Sequence, residues 1–186
     1  MTTGQIRVLI GEDHELVRRS LASAARTWGG EVIEAGSVRD GLDQLELHPD
    51  LVMVDVMLPD GNGRTVVEKA VTMRPAPAVI AMSGHASAEE AFELARLGAR
   101  RYLPKPISLE DLAAAFEATL ADHPDLTPLV AAHVGHTPMR QVLEKVRGVM
   151  VDEALARENG SRSGAARRLG VSRQAVQQAV RLIELA

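Results

Sequence analysis

The chain has 186 residues, of which 46% are hydrophobic and only 2% aromatic, with 21 basic and 25 acidic side chains and no cysteine. That length holds one domain of ordinary size and a small appendage. No apolar run approaches the roughly 20 residues of a membrane helix, no secretory leader pattern opens the chain, and the lack of cysteine excludes a disulfide framework or thiol switch, so a cytoplasmic protein is expected.

In chain order, the apolar run Ile6–Ile10 ends at Glu12-Asp13, and a helical pattern follows over His14–Trp28. A strand over Glu31–Ala35 and a helix over Val38–Leu47 lead to the run Leu51–Val54, which ends at Asp55. A helix over Gly63–Met73 precedes the run Ala78–Met82, which ends at Ser83. A helix over Ser87–Leu97 precedes the short run Tyr102-Leu103, which ends at Lys105-Pro106. Ser108 is a good N-cap for a fifth helix over Leu109–Leu120, with Asp111 three residues on. Near-continuous β-branched and aliphatic runs suit a parallel sheet covered on both faces. Five strand-helix alternations predict a doubly wound α/β domain with right-handed crossovers.

In such a sheet, chemistry gathers beyond the carboxyl ends of the strands, so the polar islands are expected to meet in one pocket. Glu12, Asp13 and Asp55 would raise one another's pKa unless a cation compensated, and Mg²⁺ with oxygen ligands is the natural solution. Lys105 adds a fixed positive charge and Ser83 a hydroxyl. This set suits a dianionic phosphoryl group received by a carboxylate, with Asp55 as nucleophile and with the metal and Lys105 neutralising charge on the equatorial oxygens. Singly, each residue has an ordinary reading: Asp55 as a helix cap, Lys105 as a solvated lysine, Tyr102 as a core aromatic. Their order, each following a strand, carries the chemistry. His14 is read as a partly exposed cap residue rather than a ligand.

After Ala121 the pattern changes. Residues 122–138 contain Pro124, Pro128 and Pro138 and read as a linker, with a short helical piece around Leu129–Val134. His123, His133 and His136 fall there and are read as solvated. Gln141–Glu158 is a long helical pattern closed by Asn159-Gly160. Ser163–Leu169, the turn Gly170-Val171-Ser172 and a second helix over Arg173–Leu185 have the grammar of a helix-turn-helix. Ala166 is small where the helices cross, Gly170 suits a positive-φ turn, and Ser172 caps the second helix. Leu169, Val171, Val176 and Val180 are expected in the shared core. Arg173, Gln174, Gln177, Gln178 and Arg181 are expected to face the major groove, where Gln pairs with adenine and Arg with guanine. Arg162, Arg167 and Arg168 would meet phosphates. The competing reading is an amphipathic pair that serves only dimerisation.

Charge agrees with this division. Nine basic and five acidic residues lie in 139–186, leaving twelve and twenty for 1–138, so the overall −4 hides a net +4 tail behind a net −8 front. That change of sign points to a nucleic-acid-binding tail.

The set Glu12-Asp13, Asp55-Val56-Met57-Leu58-Pro59 with Gly63, Ser83-Gly84 and Tyr102-Leu103-Pro104-Lys105-Pro106 resembles the receiver domain of bacterial two-component response regulators over about the first two-thirds of the chain. The resemblance implies a flavodoxin-like fold with a five-stranded parallel sheet of order 2-1-3-4-5. It implies that Asp55 accepts phosphate from a sensor histidine kinase, that Glu12 and Asp13 join Asp55 in holding Mg²⁺, and that Lys105 and Ser83 contact the phosphoryl group. Tyr102 matches the aromatic switch, whose ring moves as Ser83 is drawn to the phosphate. The surface around the fourth and fifth helices is the implied output face.

The stretch 160–173 resembles the Fis-type helix-turn-helix that ends NtrC-class regulators. Gln174-Ala175-Val176-Gln177-Gln178-Ala179 departs from that family's usual hydroxyl, aromatic and basic residues. The sequence has no Gly-x-x-x-x-Gly-Lys-Ser/Thr loop, so it lacks the ATPase part of those regulators, and its plan is similar to that of the short RegA/PrrA-type regulators. The expected organisation is a receiver over 1–121, a linker over 122–138 and a DNA-binding helix-turn-helix over 139–186, with helix 141–158 pairing two subunits into a homodimer. The implied partners are the kinase and double-stranded DNA, with no membrane. The implied catalysis is limited to the protein's own phosphorylation and dephosphorylation. The rival readings are a receiver-controlled protein-interaction regulator and a phosphorelay intermediate, neither of which binds DNA specifically.

Overall fold

A computed structural model describes residues 5–85, 87–121 and 127–184. The first part of the expected linker, 122–126 with His123, and Leu185 at the end of the expected last helix lie outside the described residues. The chain divides into two compact units, Met1–Asp122 and His123–Ala186.

In the first unit, strands β1 (Ile6–Gly11), β2 (Gly30–Ala35), β3 (Leu51–Asp55), β4 (Ala78–Ser83) and β5 (Arg101–Pro104) form one parallel sheet. Numbered along the chain, their order is β2-β1-β3-β4-β5, the flavodoxin-like order expected. Helices α1 (Glu15–Thr27), α2 (Val38–Gln44), α3 (Arg64–Thr72), α4 (Ala88–Leu97) and α5 (Leu109–Ala121) connect and follow them, and a 3₁₀ turn over Leu45–Leu47 extends α2.

Alternate residues of a strand face opposite sides, and both sides here are covered. Val8, Ile10, Met53, Ile80 and Met82 pack with Leu21 and Ala25 of α1 and Leu112 and Phe116 of α5. Leu9, Val52, Val54, Val79 and Ala81 pack on the other side with Val38, Val66, Val67, Ala70 and Leu94 of α2, α3 and α4. Each of the larger side chains contributes about 1.5–3 kcal/mol on burial, which is why β3 and β4 are apolar up to their terminal Asp55 and Ser83. Trp28, at the end of α1, stacks obliquely on Phe116 with ring centroids 5.0 Å apart.

Short-range chemistry sets the ends of these elements. His14 occupies the N-cap of α1 in extended conformation, and its side chain makes no capping bond. The Ser108 hydroxyl accepts from the Asp111 amide at 3.0 Å, as expected for the start of α5. One feature was absent from the sequence reading: Met57–Leu58 and Gly61–Asn62 form a small antiparallel hairpin after β3. Asp60 at its tip accepts from the Val38 and Arg39 amides at 2.7 and 3.0 Å, satisfying free donors in the first turn of α2. Those backbone bonds, to Arg39 first, hold the Asp60 carboxyl below its ordinary range. At Gly63 a Cβ would lie 1.9 Å from the Asp55 carbonyl oxygen, so only glycine lets the chain turn back so close to β3.

The second unit contains α6 (Thr127–Ala131), α7 (Met139–Arg157), α8 (Arg162–Leu169) and α9 (Arg173–Glu184). The short helical piece begins at Thr127 rather than Leu129, and α7 begins two residues before Gln141, directly after Pro138. Asn159 and Gly160 adopt φ of 48° and 80° and end α7. The Ser161 hydroxyl then caps α8 through the Gly164 amide, and Ser172 caps α9 through the Ala175 amide. Val151, Ala154, Ala165, Ala166, Val176 and Ala179 form the core, with Leu155, Leu169 and Val180 against it. The expectation that Val171 joins this core is corrected: in the turn two residues after Leu169 it points outward and is 46% exposed. It lines an open apolar groove of about 520 Å³ with Leu143, Val146, Met150 and Ala175. No helix among the described residues is long and apolar enough to cross a membrane.

Candidate phosphoacceptor site and nucleic-acid interface

The polar islands converge at the carboxyl edge of the sheet. β1 delivers Glu12 and Asp13, and the Glu12 amide is tied to the Ala35 carbonyl of β2 at 3.0 Å. β3 ends in Asp55. Glu12 is 1% exposed and Asp55 5%, whereas Asp13 faces solvent. One carboxylate oxygen from each lies within 4.8 Å of the others. The Met57 amide donates to Asp55 Oδ1 at 2.9 Å, fixing the carboxylate's orientation.

Lys105 reaches the same point from the loop between β5 and α5. Its amide donates to the Ser83 carbonyl at 2.7 Å. Its ammonium donates to Glu12 Oε2 at 2.5 Å and to Asp55 Oδ2. Burial works against the lysine's charge, but hydrogen bonds and attraction from Asp55 and Glu12 outweigh it and raise its pKa. Three carboxylates against one ammonium leave the pocket two charges negative, with hard oxygen donors only. That donor set fits a divalent cation of the Mg²⁺ type.

Ser83 is fully buried at the end of β4, and its Oγ accepts from the His85 amide at 3.1 Å. The Tyr102 hydroxyl donates to Glu90 Oε2 of α4 at 3.0 Å and lies 3.3 Å from the His85 carbonyl. Burial raises the Tyr102 pKa, a hydrogen bond with Ser83 opposes the rise, and Glu90 adds to it. Thus Ser83 and Tyr102 belong to one hydrogen-bonded group that also involves α4. Glu90 was not singled out in the sequence, because its link to Tyr102 depends on tertiary placement alone.

The second unit presents Arg162 and Arg167 on α8 and Arg173, Gln174 and Arg181 on α9, all exposed, with Gln177 half-buried. Gln178 is exposed and also lines the apolar groove beside α7. Arg168 is engaged elsewhere: its Nε and Nη2 donate to Glu158 Oε1 at 2.9 and 2.7 Å. Glu158 in turn lies over Gly164, where a Cβ would meet its Oε2 at 2.4 Å.

Residues 8–117 match the family model described as response regulator receiver domain, and residues 142–181 match that of the bacterial regulatory protein, Fis family. The transcriptional regulatory protein PdtaR of Mycobacterium tuberculosis is 35% identical over 150 residues, covering 77% of this chain and 72% of that protein. ZraR of Escherichia coli K12, also a transcriptional regulatory protein, is 32% identical over 178 residues, covering 91% of this chain but only 40% of its own length. Among solved structures, a CheY-like receiver domain protein from Methanospirillum hungatei superposes with a TM-score of 0.59 at 30% identity, covering 63% of this chain and 94% of that one. The non-phosphorylated HemR receiver domain of Leptospira biflexa gives 0.60 at 26% identity, covering 64% and 98%.

Proposed function

Since the chain belongs to the response regulator receiver family and carries a Fis-family helix-turn-helix, we propose that Asp55 accepts a phosphoryl group from a sensor histidine kinase and that this modification governs DNA binding by the tail. The protein is a transcriptional two-component response regulator, and the Fis-family match over 142–181 disfavours a receiver that works without DNA. The convergence of Glu12, Asp13, Asp55 and Lys105 on one point carries the reading.

Asp55 Oδ2 is the nucleophile. As it bonds to phosphorus, the phosphorus–nitrogen bond of the donor phosphohistidine breaks and the electron pair returns to the imidazole. Lys105, already at that oxygen, follows the charge onto the incoming phosphoryl oxygens. Ser83 turns its hydroxyl toward a phosphoryl oxygen, which alters its bond with Tyr102 and the hold of Tyr102 on Glu90. Glu12, Asp13 and Asp55 would hold Mg²⁺, which when bound would neutralise charge on the phosphoryl oxygens. Catalysis extends no further than this self-phosphorylation and its reversal. The change at Tyr102 and α4 is the two-state element whose populations phosphorylation shifts.

Three segments divide the labour: a receiver over 1–121, a linker over 122–138 and a DNA-binding unit over 139–186. α9 enters the major groove with Arg173, Gln174, Gln177, Gln178 and Arg181, while Arg162 and Arg167 meet phosphates. Two chains pair through α7, where Met139, Leu143, Val149 and Met150 are exposed. The protein acts in the cytoplasm. The deciding experiment compares wild type with Asp55→Ala for labelling by acetyl phosphate with Mg²⁺ and for selection from random duplexes. Labelling and donor-strengthened selective binding are expected in wild type only. Labelling that survives in Asp55→Ala, or weak and unselective binding throughout, overturns the corresponding half of the reading.

A further inference from the structure

Arg18 has no part in the chemistry above, yet it is the residue most closely tied to the backbone of the acidic pair. It lies one turn into α1, where its amide donates to the His14 carbonyl at 2.9 Å, and its side chain is only 20% exposed. Nη1 donates to the carbonyl oxygen of Glu12 at 2.7 Å and approaches that of Asp13 at 3.2 Å. Nε lies 3.6 Å from Glu34 Oε2 on β2, and the other Glu34 oxygen accepts from Arg26 at 3.0 Å. A rigid guanidinium thus spans from β2 to two successive carbonyls of the turn that carries the acidic pair.

Three carboxylates within 4.8 Å repel one another, and the turn between β1 and α1 is where that repulsion can be relieved by movement. Lys105 opposes it by bonding the carboxylates themselves, which engages the atoms a cation needs. Arg18 opposes it by a different route, because it bonds main-chain carbonyls and draws its countercharge from Glu34, outside the pocket. Arg18 itself engages no carboxylate oxygen of Glu12 or Asp13.

We propose that Arg18, oriented by Glu34, is a positioning residue that holds Glu12 and Asp13 ready for a divalent cation. This inference rests on the cation-dependent phosphoacceptor reading above. Outer contacts that orient metal ligands typically govern affinity by about 10–100-fold. Loss of Arg18 therefore weakens cation binding about tenfold while leaving the phosphorylation rate at saturating cation near that of wild type.

The test uses the full chain and Mn²⁺ as a spectroscopic probe, with free Mn²⁺ read by electron paramagnetic resonance and no phosphodonor present. The Mn²⁺ dissociation constant is expected to rise most in Arg18→Ala. It should rise less in Arg18→Lys, which retains one donor near the carbonyls, and in Glu34→Gln, which retains the guanidinium but not its countercharge. In parallel, labelling by acetyl phosphate is followed as a function of Mg²⁺: the half-saturating concentration should rise and the plateau should hold. Arg18→Lys and Glu34→Gln suffice should Arg18→Ala fail to fold. If Asp55→Ala weakens Mn²⁺ binding and the Arg18 and Glu34 variants do not, the positioning role is overturned alone. If the plateau drops while the dissociation constant stays fixed, it is overturned as well. If wild type binds no Mn²⁺, or Asp55→Ala binds as wild type does, the cation reading falls and the role of Arg18 falls with it.

Discussion

Arg167 and Arg168 are neighbours of the same charge on α8, but Arg168 donates twice to Glu158 whereas Arg167 is exposed. Their alanine variants should therefore behave differently on DNA. If Arg162 and Arg167 of two paired tails each meet a phosphate, about four counterions are released, and the slope of log affinity against log salt is about −3.6. Between about 50 and 200 mM salt, binding then weakens by about 150-fold. Arg167→Ala removes two of those contacts per dimer and should flatten the slope to about −1.8, readable by fluorescence anisotropy on a labelled duplex across that salt range. Arg168→Ala should leave the slope at about −3.6, because that charge is already matched within the fold. Its cost should appear in stability instead. The pair is part-exposed, so its loss is worth about 0.5–1 kcal/mol, or about 2–8 °C in the melting of so small a unit. Equal flattening by both variants would mean that Glu158 releases Arg168 to the DNA, and the reasoning would fail.

Gly63→Ala places a methyl group against the Asp55 carbonyl and should destabilise the receiver by about 1–3 kcal/mol in urea titrations, with loss of labelling at Asp55; a variant of wild-type stability would contradict the close approach. Tyr102 is the chain's single tyrosine, so ultraviolet tyrosinate absorbance reads its titration directly. Its pKa lies above the ordinary 10.0, and Glu90→Ala should bring it down. The stability contributed by the protonated phenol is full below pH 10.0 and is lost as pH rises through the folded value. Asp60 is shifted the other way: its contribution is present above 3.8 and is lost as pH falls through its depressed value. Asp60→Asn should therefore be less stable near neutrality, with its stability curve meeting that of wild type in acid.

The sheet was legible because burial on both faces demands an uninterrupted apolar strand, a demand that Leu51–Val54 and Ala78–Met82 satisfy along their length. The pocket followed from the sheet, since Glu12-Asp13, Asp55 and Ser83 close such runs and Lys105 closes the shorter run Tyr102-Leu103. What stayed hidden depends on distance in space rather than in sequence. The hairpin after Asp55 has two-residue strands, too short to show alternation, and it is secured by Asp60 reaching α2, some twenty positions earlier. Arg18 reads as an ordinary helix arginine until β2 is beside it, and Glu158 reads as the end of a helix until α8 folds over it. Val171 was misplaced because an apolar residue in a tight turn looks like core when only its type is considered, although the turn directs it outward.

The oblique stack of Trp28 on Phe116 has a practical consequence. Trp28 is the sole tryptophan, and Phe92, Tyr102 and Phe116 complete the aromatic side chains, so all four lie in the first unit. The core of the second unit is built from alanine, valine and leucine. Fluorescence and near-ultraviolet signals thus come from the receiver alone, while helical circular dichroism sums both units. Melting recorded with the two probes on one sample separates the loss of the receiver from the loss of the DNA-binding unit without cutting the chain or attaching a dye.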